Sequence, residues 1–252
     1  MSLSNARQER FAQQERYARQ LSLPELGTAG QQKLMNGRVL LIGAGGLGSP
    51  AAFYLTAAGV GTLGIADADS VDLSNLQRQI LHTMPDLGRP KAESAKDTLQ
   101  ALNPEIAINA HHLYVTPDNI GALIAGYDFI LDCTDSFAAK LMINDACVRA
   151  GKPFSHAGIE GLQGQLMTYV PGHGPCCRCI FPEPPEAAKT PIPVMGAVAG
   201  VIGSLQAMEA IKFLAGIGDL LTGRMLCFDA KSMEFRSVQL PKRRGCICGE
   251  AN

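Results

Sequence analysis

Residues 39–48 read Val-Leu-Leu-Ile-Gly-Ala-Gly-Gly-Leu-Gly, an apolar run that ends in a glycine-rich segment. The apolar run is typical of a buried parallel strand, and residues 49–58 show the pattern of a helix. Glycines let the backbone approach phosphate closely, and the N-terminus of a helix offers unpaired N–H groups. A tight strand–helix turn without a ligand is the alternative. The segment therefore predicts a nucleotide site lined by Gly43, Gly45, Gly46 and Gly48.

The strand–helix pattern continues on the C-terminal side of the glycines. Residues after 150 lose this alternation, and their strands occur in hairpin-like surroundings. We expect a Rossmann-like, doubly wound α/β sheet, mostly parallel, extended by antiparallel strands in the C-terminal half of a single domain, 1–252. Strands are predicted at 62–66, 105–111, 128–131, 165–170, 225–228 and 235–240, and helices at 1–20, 91–102, 136–149 and 194–214.

Composition excludes several classes of protein. Lys and Arg number 22 against 23 Asp and Glu, which gives a net charge of −1 and no general attraction to nucleic acid or an anionic membrane. With 46% hydrophobic residues, the 252-residue chain can bury a substantial core. The N-terminal segment is too polar for a signal peptide, and the most apolar stretch, 194–205, is shorter than a bilayer requires. We therefore expect a cytoplasmic protein with no nucleic-acid or membrane partner.

Candidate nucleotide-binding residues follow the glycines along the chain. Asp67 ends the second predicted strand, where a carboxylate can accept hydrogen bonds from both ribose hydroxyls. The glycines alone do not separate a dinucleotide from ATP. Arg78 and Lys91 stand where a dehydrogenase needs an apolar slot for nicotinamide, and two fixed cations suit a triphosphate instead. Taken singly, each cation is equally consistent with a solvated surface charge, so it is their position beside the glycines that favours ATP.

Two aspartates follow the fourth predicted strand. Asp132 and Asp135 stand at the C-terminal end of that strand, where open α/β sheets place their ligands. We predict that Asp135 holds a Mg²⁺ ion that bridges the phosphates. Helix capping is the alternative, because a helix is predicted from Ser136 onward. We expect capping to account for one of the two aspartates.

Eight cysteines are unevenly distributed along the chain. Cys133, Cys147 and Cys227 stand alone among apolar residues and are predicted to be buried. The others form two short groups, at 176–179 and 246–248. A Cys-x-x-Cys pair that meets a second pair is the usual Cys₄ zinc arrangement, although reduced free thiols are the alternative and Cys177 can replace a neighbour. We predict that one structural Zn²⁺ is bound by Cys176, Cys179, Cys246 and Cys248.

Several motifs together resemble the bacterial activating enzymes of sulfur-carrier proteins, the MoeB/ThiF/HesA group, which are related to the ubiquitin-activating enzymes. The resemblance runs from about residue 16 to residue 249. Several independent motifs in the expected order make a chance agreement implausible. The motifs are Arg-Tyr-Ala-Arg-Gln at 16–20, Gly-Ala-Gly-Gly-Leu-Gly at 43–48, Ser-Asn-Leu-Gln-Arg-Gln at 74–79, Asp-Cys-Thr-Asp at 132–135, and residues 203–212.

The resemblance implies an activity and roles for named residues. A Mg-ATP-dependent enzyme would adenylate the C-terminal Gly-Gly tail of a small ubiquitin-fold sulfur carrier, with the molybdopterin-synthase type favoured, and a separate sulfurtransferase would supply sulfur. Asp67 would bind ribose, and Asp135 would bind Mg²⁺. Arg19 would reach the neighbouring subunit's site, so that the active form is a homodimer with the N-terminal helix, 1–20, at its interface. Asn75, Arg78 and Lys91 would hold the phosphates.

The chain departs from the family at three places. Ser136 and Lys140 stand where the family usually has Asn and Arg, and lysine cannot form the two-pronged contact of arginine with phosphate. Only one residue separates Cys246 from Cys248, where the family usually has two. Many relatives carry a cysteine in the proline-rich loop predicted to be mobile at 181–193, where Lys189 stands here. The lack of a cysteine in this loop implies that no covalent enzyme–carrier link forms.

Three other functions compete with this one. The chain can instead activate the thiamine-type carrier, or a dual or specialised carrier. An NAD-dependent dehydrogenase would explain the glycines but would leave Arg78, Lys91 and the cysteine groups unexplained. A non-catalytic module that holds nucleotide or carrier is the remaining alternative, and the presence of Arg19, Lys91 and Asp135 argues against it.

Overall fold

One sheet of eight strands organises residues 15–183 and 192–249, which are the residues that the computed structural model describes. The strands alternate with helices up to β5, as the sequence predicts. The strands are β1 (Arg38–Ile42), β2 (Thr62–Ala66), β3 (Ala107–His111), β4 (Phe129–Asp132), β5 (Phe154–Glu160), β6 (Gln163–Tyr169), β7 (Arg224–Asp229) and β8 (Glu234–Gln239).

Helices cover the sheet, and four of those in the described residues connect consecutive parallel strands. Three of these helices, the second, fifth and seventh in the following list, are not predicted by the sequence analysis. They are α1 (Ala18–Leu21), α2 (Gly27–Asn36), α3 (Gly48–Ala58), α4 (Lys91–Leu102), α5 (Ile120–Ala125), α6 (Phe137–Arg149), α7 (Cys177–Ile180) and α8 (Gly196–Ala215).

The strand order is β3-β2-β1-β4-β5-β6-β7-β8. The first five strands are parallel, and β6, β7 and β8 are each antiparallel to their neighbour. The predicted fold class, a doubly wound parallel sheet extended by antiparallel strands, is therefore confirmed. Because β1 has β2 on one side and β4 on the other, the chain direction across the sheet reverses at β1. Ligands of open α/β sheets bind at such a switch point, beyond the carboxyl ends of the strands.

Strand β5 is the parallel strand that the sequence analysis missed. It lies in the middle of the sheet, hydrogen-bonded to β4 on one side and β6 on the other. A buried parallel strand is expected to be a continuous apolar run, but Ser155 and His156 interrupt this one, and both are fully buried. The apolar pattern does not predict this strand, because its two polar side chains are buried with hydrogen-bond partners inside the protein.

Helix α8 packs against α3 and against the sheet at β4, β5 and β6. By length and composition this helix is apolar enough to cross a membrane, with a mean hydropathy of 1.4, although 44% of the relevant window is buried inside the protein. The helix is longer than the apolar stretch noted in the sequence. Its small residues permit close packing, since a Cβ on Gly203 would lie 2.2 Å from the carbonyl oxygen of Leu47.

Two predicted segments lie largely outside the described residues. The predicted N-terminal helix, 1–20, is described only from residue 15, and its last three residues fall in α1. The predicted mobile loop, 181–193, is described only at 181–183 and 192–193. Lys189 also lies outside the described residues.

Candidate active site

The glycine-rich segment forms the turn from β1 into α3, and its glycines serve two purposes. Gly43 has a φ of 104°, and a Cβ there would lie 2.7 Å from the carbonyl oxygen of Cys133. A Cβ on Gly48 would lie 2.1 Å from the carbonyl oxygen of Gly43. These two glycines are required by the turn itself. Gly45 and Gly46 are half-exposed and have no backbone that close, so they leave bare backbone at the N-terminus of α3.

Asp67, at the end of β2, lies against this turn. Its Oδ2 accepts a hydrogen bond from the backbone N–H of Ala44 at 2.7 Å, and its Oδ1 accepts one from the N–H of Asp69 at 2.8 Å. Each carboxylate oxygen can accept a second hydrogen bond, so the predicted contact with ribose is compatible with this arrangement. Lys91 begins α4 and is nearly buried, with its Nζ 2.9 Å from Asp69 Oδ2. Asp69 thus links Asp67, which is predicted to bind ribose, to Lys91, which is predicted to bind phosphate.

Residues 72–79 lie over the glycines. Asp72 caps a short 3₁₀ helix, Leu73–Asn75, by accepting a hydrogen bond from the N–H of Ser74 at 2.8 Å. The Cγ of Arg78 lies 3.5 Å from the position of a Cβ on Gly46, and its guanidinium donates to the carbonyl oxygen of Ser74 at 3.2 Å. Asn75 and Arg78 are both half-exposed. Arg78, one of the predicted phosphate ligands, therefore lies beside the glycine-rich turn, and Asn75 ends the short 3₁₀ helix that precedes it.

The turn after β4, residues 132–135, lies at the same carboxyl edge of the sheet as the glycine-rich turn. The contact between Gly43 and Cys133 places residues 132–135 directly beside the glycine-rich turn. Asp135 is exposed, and its carboxylate makes no hydrogen bond with the residues that the structure describes. An exposed carboxylate beside a phosphate-binding turn offers the oxygen ligands that Mg²⁺ prefers. Asp135 is therefore suited to the predicted magnesium role.

Neither aspartate caps α6, so the expectation that capping accounts for one of them is wrong. Ser136 is the N-cap, and its hydroxyl accepts a hydrogen bond from the N–H of Ala139 at 3.2 Å. Asp132 is instead fully buried, with Lys140 Nζ 3.3 Å and His156 Nδ1 2.8 Å from its Oδ2. Burial alone would raise the pKa of Asp132, but Lys140, His156 and Thr134 together lower it to about 2.

Sequence reasoning missed two buried histidines near this edge. His156 donates from Nδ1 to Asp132, and its Nε2 has no partner among the described residues. His82 lies behind the glycine-rich turn, with Nδ1 2.9 Å from the hydroxyl of Ser94. Burial lowers the pKa of both histidines. His82 follows the 74–79 motif by only three residues, so its nearness to that motif could have indicated a place in the site. No motif lies next to His156 in the sequence.

Arg19 lies at the opposite edge of the sheet. Its segment is fixed by Tyr17, which is buried against the turn at Gly59 and whose hydroxyl accepts a hydrogen bond from Asn103 at 2.9 Å. Gly59 ends α3, whereas the glycine-rich turn begins it, and a helix of 11 residues is about 15 Å long. Arg19 itself is exposed. The structure therefore does not bring Arg19 to the site of its own subunit.

The four cysteines predicted to bind zinc come together. Cys176 Sγ lies 3.6 Å from Cys246 Sγ, and Cys179 Sγ lies 3.5 Å from Cys248 Sγ. All four sulfur atoms lie within 4.8 Å of one another. Tetrahedral zinc with Zn–S bonds of about 2.3 Å separates its sulfurs by about 3.8 Å. The geometry fits a Cys₄ site, despite the single residue between Cys246 and Cys248.

Curated proteins with similar sequences are adenylyltransferases by name. The "Adenylyltransferase and sulfurtransferase MOCS3" of Drosophila sechellia is 48% identical over 91% of this chain and 51% of its own length. The "Probable adenylyltransferase/sulfurtransferase MoeZ" of Mycobacterium tuberculosis is 46% identical over 90% of this chain and 60% of its own length. The chain thus spans about half to three-fifths of the relatives it matches.

Solved structures of Escherichia coli MccB share the fold. MccB with MccA-N7isoASN has a TM-score of 0.85 at 24% identity, over 94% of this chain and 74% of that one. MccB with ATP has a TM-score of 0.81 at 25% identity, over 88% and 68% of the two chains. The model of the ThiF family matches residues 17–249. The chain therefore belongs to the ThiF family.

Proposed function

We propose that this protein is an ATP-dependent adenylyltransferase. The observation that carries the proposal is the convergence of the glycine-rich turn, Asp67, Arg78, Lys91 and the 132–135 turn at the switch point of the sheet. The similar MOCS3 and MoeZ proteins are named adenylyltransferases, and an MccB structure of the same fold is described with ATP. Fixed cations and bare backbone N–H groups are what a triphosphate requires.

The residues divide the work of the reaction between them. Asp67 accepts hydrogen bonds from the ribose, while Asn75, Arg78 and Lys91 hold the phosphates and neutralise their charge. A carboxylate of the acceptor attacks the α-phosphorus, the bond to the leaving pyrophosphate breaks, and an acyl-adenylate forms. Mg²⁺ held by Asp135 would stabilise the charge that develops on the phosphates. No nucleophilic side chain is needed, because positioning and charge neutralisation are sufficient.

The proposed acceptor is the C-terminal glycine of a small ubiquitin-fold sulfur carrier ending in Gly-Gly. Support comes from the family and from relatives whose names join adenylyl transfer to sulfur transfer. The molybdopterin-synthase type of carrier is favoured over the thiamine type. Because the chain contains the nucleotide turn, we assign it the adenylation step, and a sulfurtransferase would carry out the sulfur step. The reaction is proposed to occur in the cytoplasm.

The test is carrier-dependent exchange of labelled pyrophosphate into ATP. The expected result is exchange that requires Mg²⁺, the protein and a carrier with an intact Gly-Gly end, and that disappears when the last glycine is removed. Tight NADH binding without exchange would support the dehydrogenase instead. ATP binding without exchange, tried with both carrier types, would support a non-catalytic module.

We also propose a homodimer that shares its active sites. Arg19 is exposed at the edge of the sheet opposite the glycine-rich turn, so its side chain is free to enter the site of a second copy.

We further propose a structural zinc ion at the four cysteines. It would join the 176–179 and 246–248 segments, which are far apart in sequence. Both proposals rest on positions that the family resemblance singles out.

A further inference from the structure

A buried cluster of three charged or polar groups lies beneath the turn that carries Asp135. Asp132, Lys140 and His156 come from β4, α6 and β5, and each is at most 5% exposed. Lys140 Nζ also donates to the carbonyl oxygen of Ala157 at 2.6 Å. Ion pairs of this kind require several well-made contacts to offset the cost of removing charges from water. The cluster has those contacts, so its parts are held rigidly.

Asp132 connects this cluster to the turn. Its Oδ2 takes the contact with His156, while its Oδ1 accepts hydrogen bonds from the backbone N–H of Thr134 at 3.1 Å and from the Thr134 hydroxyl at 2.7 Å. The next residue is Asp135. The carboxylate of Asp132 thus fixes the backbone immediately before Asp135, and the orientation of that carboxylate is set from below by His156 and Lys140.

The two partners of Asp132 have different tasks. Lys140 supplies the positive charge and points into the protein, so in this structure it does not act as the phosphate contact that the family's arginine suggested. His156 directs a single N–H at one carboxylate oxygen. Its Nε2 has no partner within the described parts of the chain, which suits a neutral ring whose one proton is on Nδ1.

We propose that His156 is a positioning residue for Asp135, acting through Asp132 and the 132–135 turn. Groups that orient a metal-binding residue typically contribute a factor of about 10 to 100 in metal affinity or activity. The inference rests on the proposed function, because it assumes that Asp135 binds Mg²⁺ when ATP is present. It goes further in assigning that role to a residue outside every motif that the family resemblance uses.

The experiment compares His156→Leu with His156→Asn. Asparagine places an N–H donor near the position of Nδ1, whereas leucine has no donor. We expect leucine to raise the Mg²⁺ concentration needed for half-maximal ATP binding about tenfold, with ATP binding at saturating Mg²⁺ little changed, and asparagine to restore most of the loss. Binding is measured by calorimetry, well below the melting temperature of each variant. Ile124→Val, at a fully buried position of α5, serves as a destabilised control and should leave the Mg²⁺ dependence unaltered.

Two further results decide the matter. In an Asp135→Asn background, His156→Leu should add nothing to the weakened Mg²⁺ dependence, because the two residues act on the same contact. A lower melting temperature with unchanged Mg²⁺ dependence, or equal losses for leucine and asparagine, would overturn the inference while leaving the proposed function intact. An unaltered protein without Mg²⁺-dependent ATP binding would overturn both.

Discussion

His82 Nε2 lies 3.1 Å from the carbonyl oxygen of Ala44, inside the glycine-rich turn. A carbonyl oxygen only accepts hydrogen bonds, so the proton of the neutral ring is on Nε2 and the ring's Nδ1 accepts from the hydroxyl of Ser94. Ser94 belongs to α4, the helix that Lys91 begins. The histidine thus ties the phosphate-binding turn to the helix that supplies a phosphate-binding cation.

The burial of His82 makes stability dependent on pH. Burial lowers the pKa of His82 in the folded protein, whereas the pKa in the unfolded chain is about 6.5. Below about 6.5 the unfolded chain binds more protons, so the stabilisation present above that pH is lost as the pH falls towards the folded pKa. His111 and His156 act in the same direction.

We expect the free energy of unfolding to fall on acidification from pH 7 to pH 5, and His82→Gln to reduce that slope. His82→Leu, which has no donor, should lower stability at pH 7 by about 1–3 kcal/mol, because the Ala44 carbonyl loses a buried partner. Denaturant titrations at a series of pH values measure both quantities. An unchanged slope in His82→Gln would show that other groups carry the pH dependence.

The two aspartates of the 132–135 turn should separate activity from stability. Asp135 is exposed, so Asp135→Asn should abolish carrier-dependent pyrophosphate exchange and shift the free energy of unfolding by less than about 0.5 kcal/mol. Asp132→Asn should cost about 3–5 kcal/mol of stability, since Lys140 would remain buried without its counter-ion.

Exchange assays and denaturant titrations on both variants provide the test. Near-normal exchange by Asp135→Asn would show that this residue is not part of the active site.

Because the pKa of Asp132 is about 2, the stabilisation from its ionised form should persist above about pH 4 and disappear as the pH falls to 2.

The sequence was most informative where one residue type has one physical use. The glycine-rich turn, the parallel strands around it and the four cysteines were all predicted, because tight turns, buried strands and thiolate sites each demand particular residues. Strand β5, His82 and His156 were not. A buried histidine looks the same in sequence as an exposed one, and only the three-dimensional structure shows that Asp132 and Ala44 are their partners.

Zinc removal should destabilise the C-terminal part of the chain. The four sulfurs join two segments that both pack against α6, and structural zinc contributes directly to folding. Protein expressed with sufficient zinc should contain one equivalent, and Cys248→Ser should contain much less and melt at a lower temperature. Elemental analysis and thermal melting measure these quantities. Cys227→Ser, outside the cluster, is the matched control, and zinc far below one equivalent in the unaltered protein would disprove the site.

Mixed dimers should report which subunit uses Arg19. Arg19→Ala and Asp135→Asn should each be inactive alone, but a heterodimer of the two would contain one site with both residues intact. We therefore expect recovery of up to about half the activity per mixed dimer when the two proteins are co-expressed with different tags and purified through both. No recovery in a verified heterodimer would mean that Arg19 acts in its own subunit. Recovery is expected only if the two residues meet across an interface, since they lie at opposite edges of the sheet.

No covalent enzyme–carrier intermediate should form through Cys177. Cys177 is the cysteine to consider as a nucleophile, since Cys176 and Cys179 are assigned to zinc and no cysteine lies between Cys179 and Cys227. In the structure Cys177 is fully buried at the start of α7, and its N–H donates to Asn144 Oδ1 at 2.8 Å.

The chemistry of that thiol supports the same conclusion. Burial raises the pKa of Cys177 well above its ordinary value, so the nucleophilic thiolate is scarce at neutral pH. A thioester or acyl-disulfide also needs a sulfur that the adenylate carbonyl can reach, which a buried side chain does not offer. After incubation with ATP, Mg²⁺ and carrier, intact mass measurement under non-reducing conditions should show only the two separate proteins. Cys177→Ser should exchange pyrophosphate at the normal rate. A thiol-sensitive species at the summed mass that disappears in Cys177→Ser would require the buried segment to open during the reaction, and it would move the assignment towards the thiamine-type carrier.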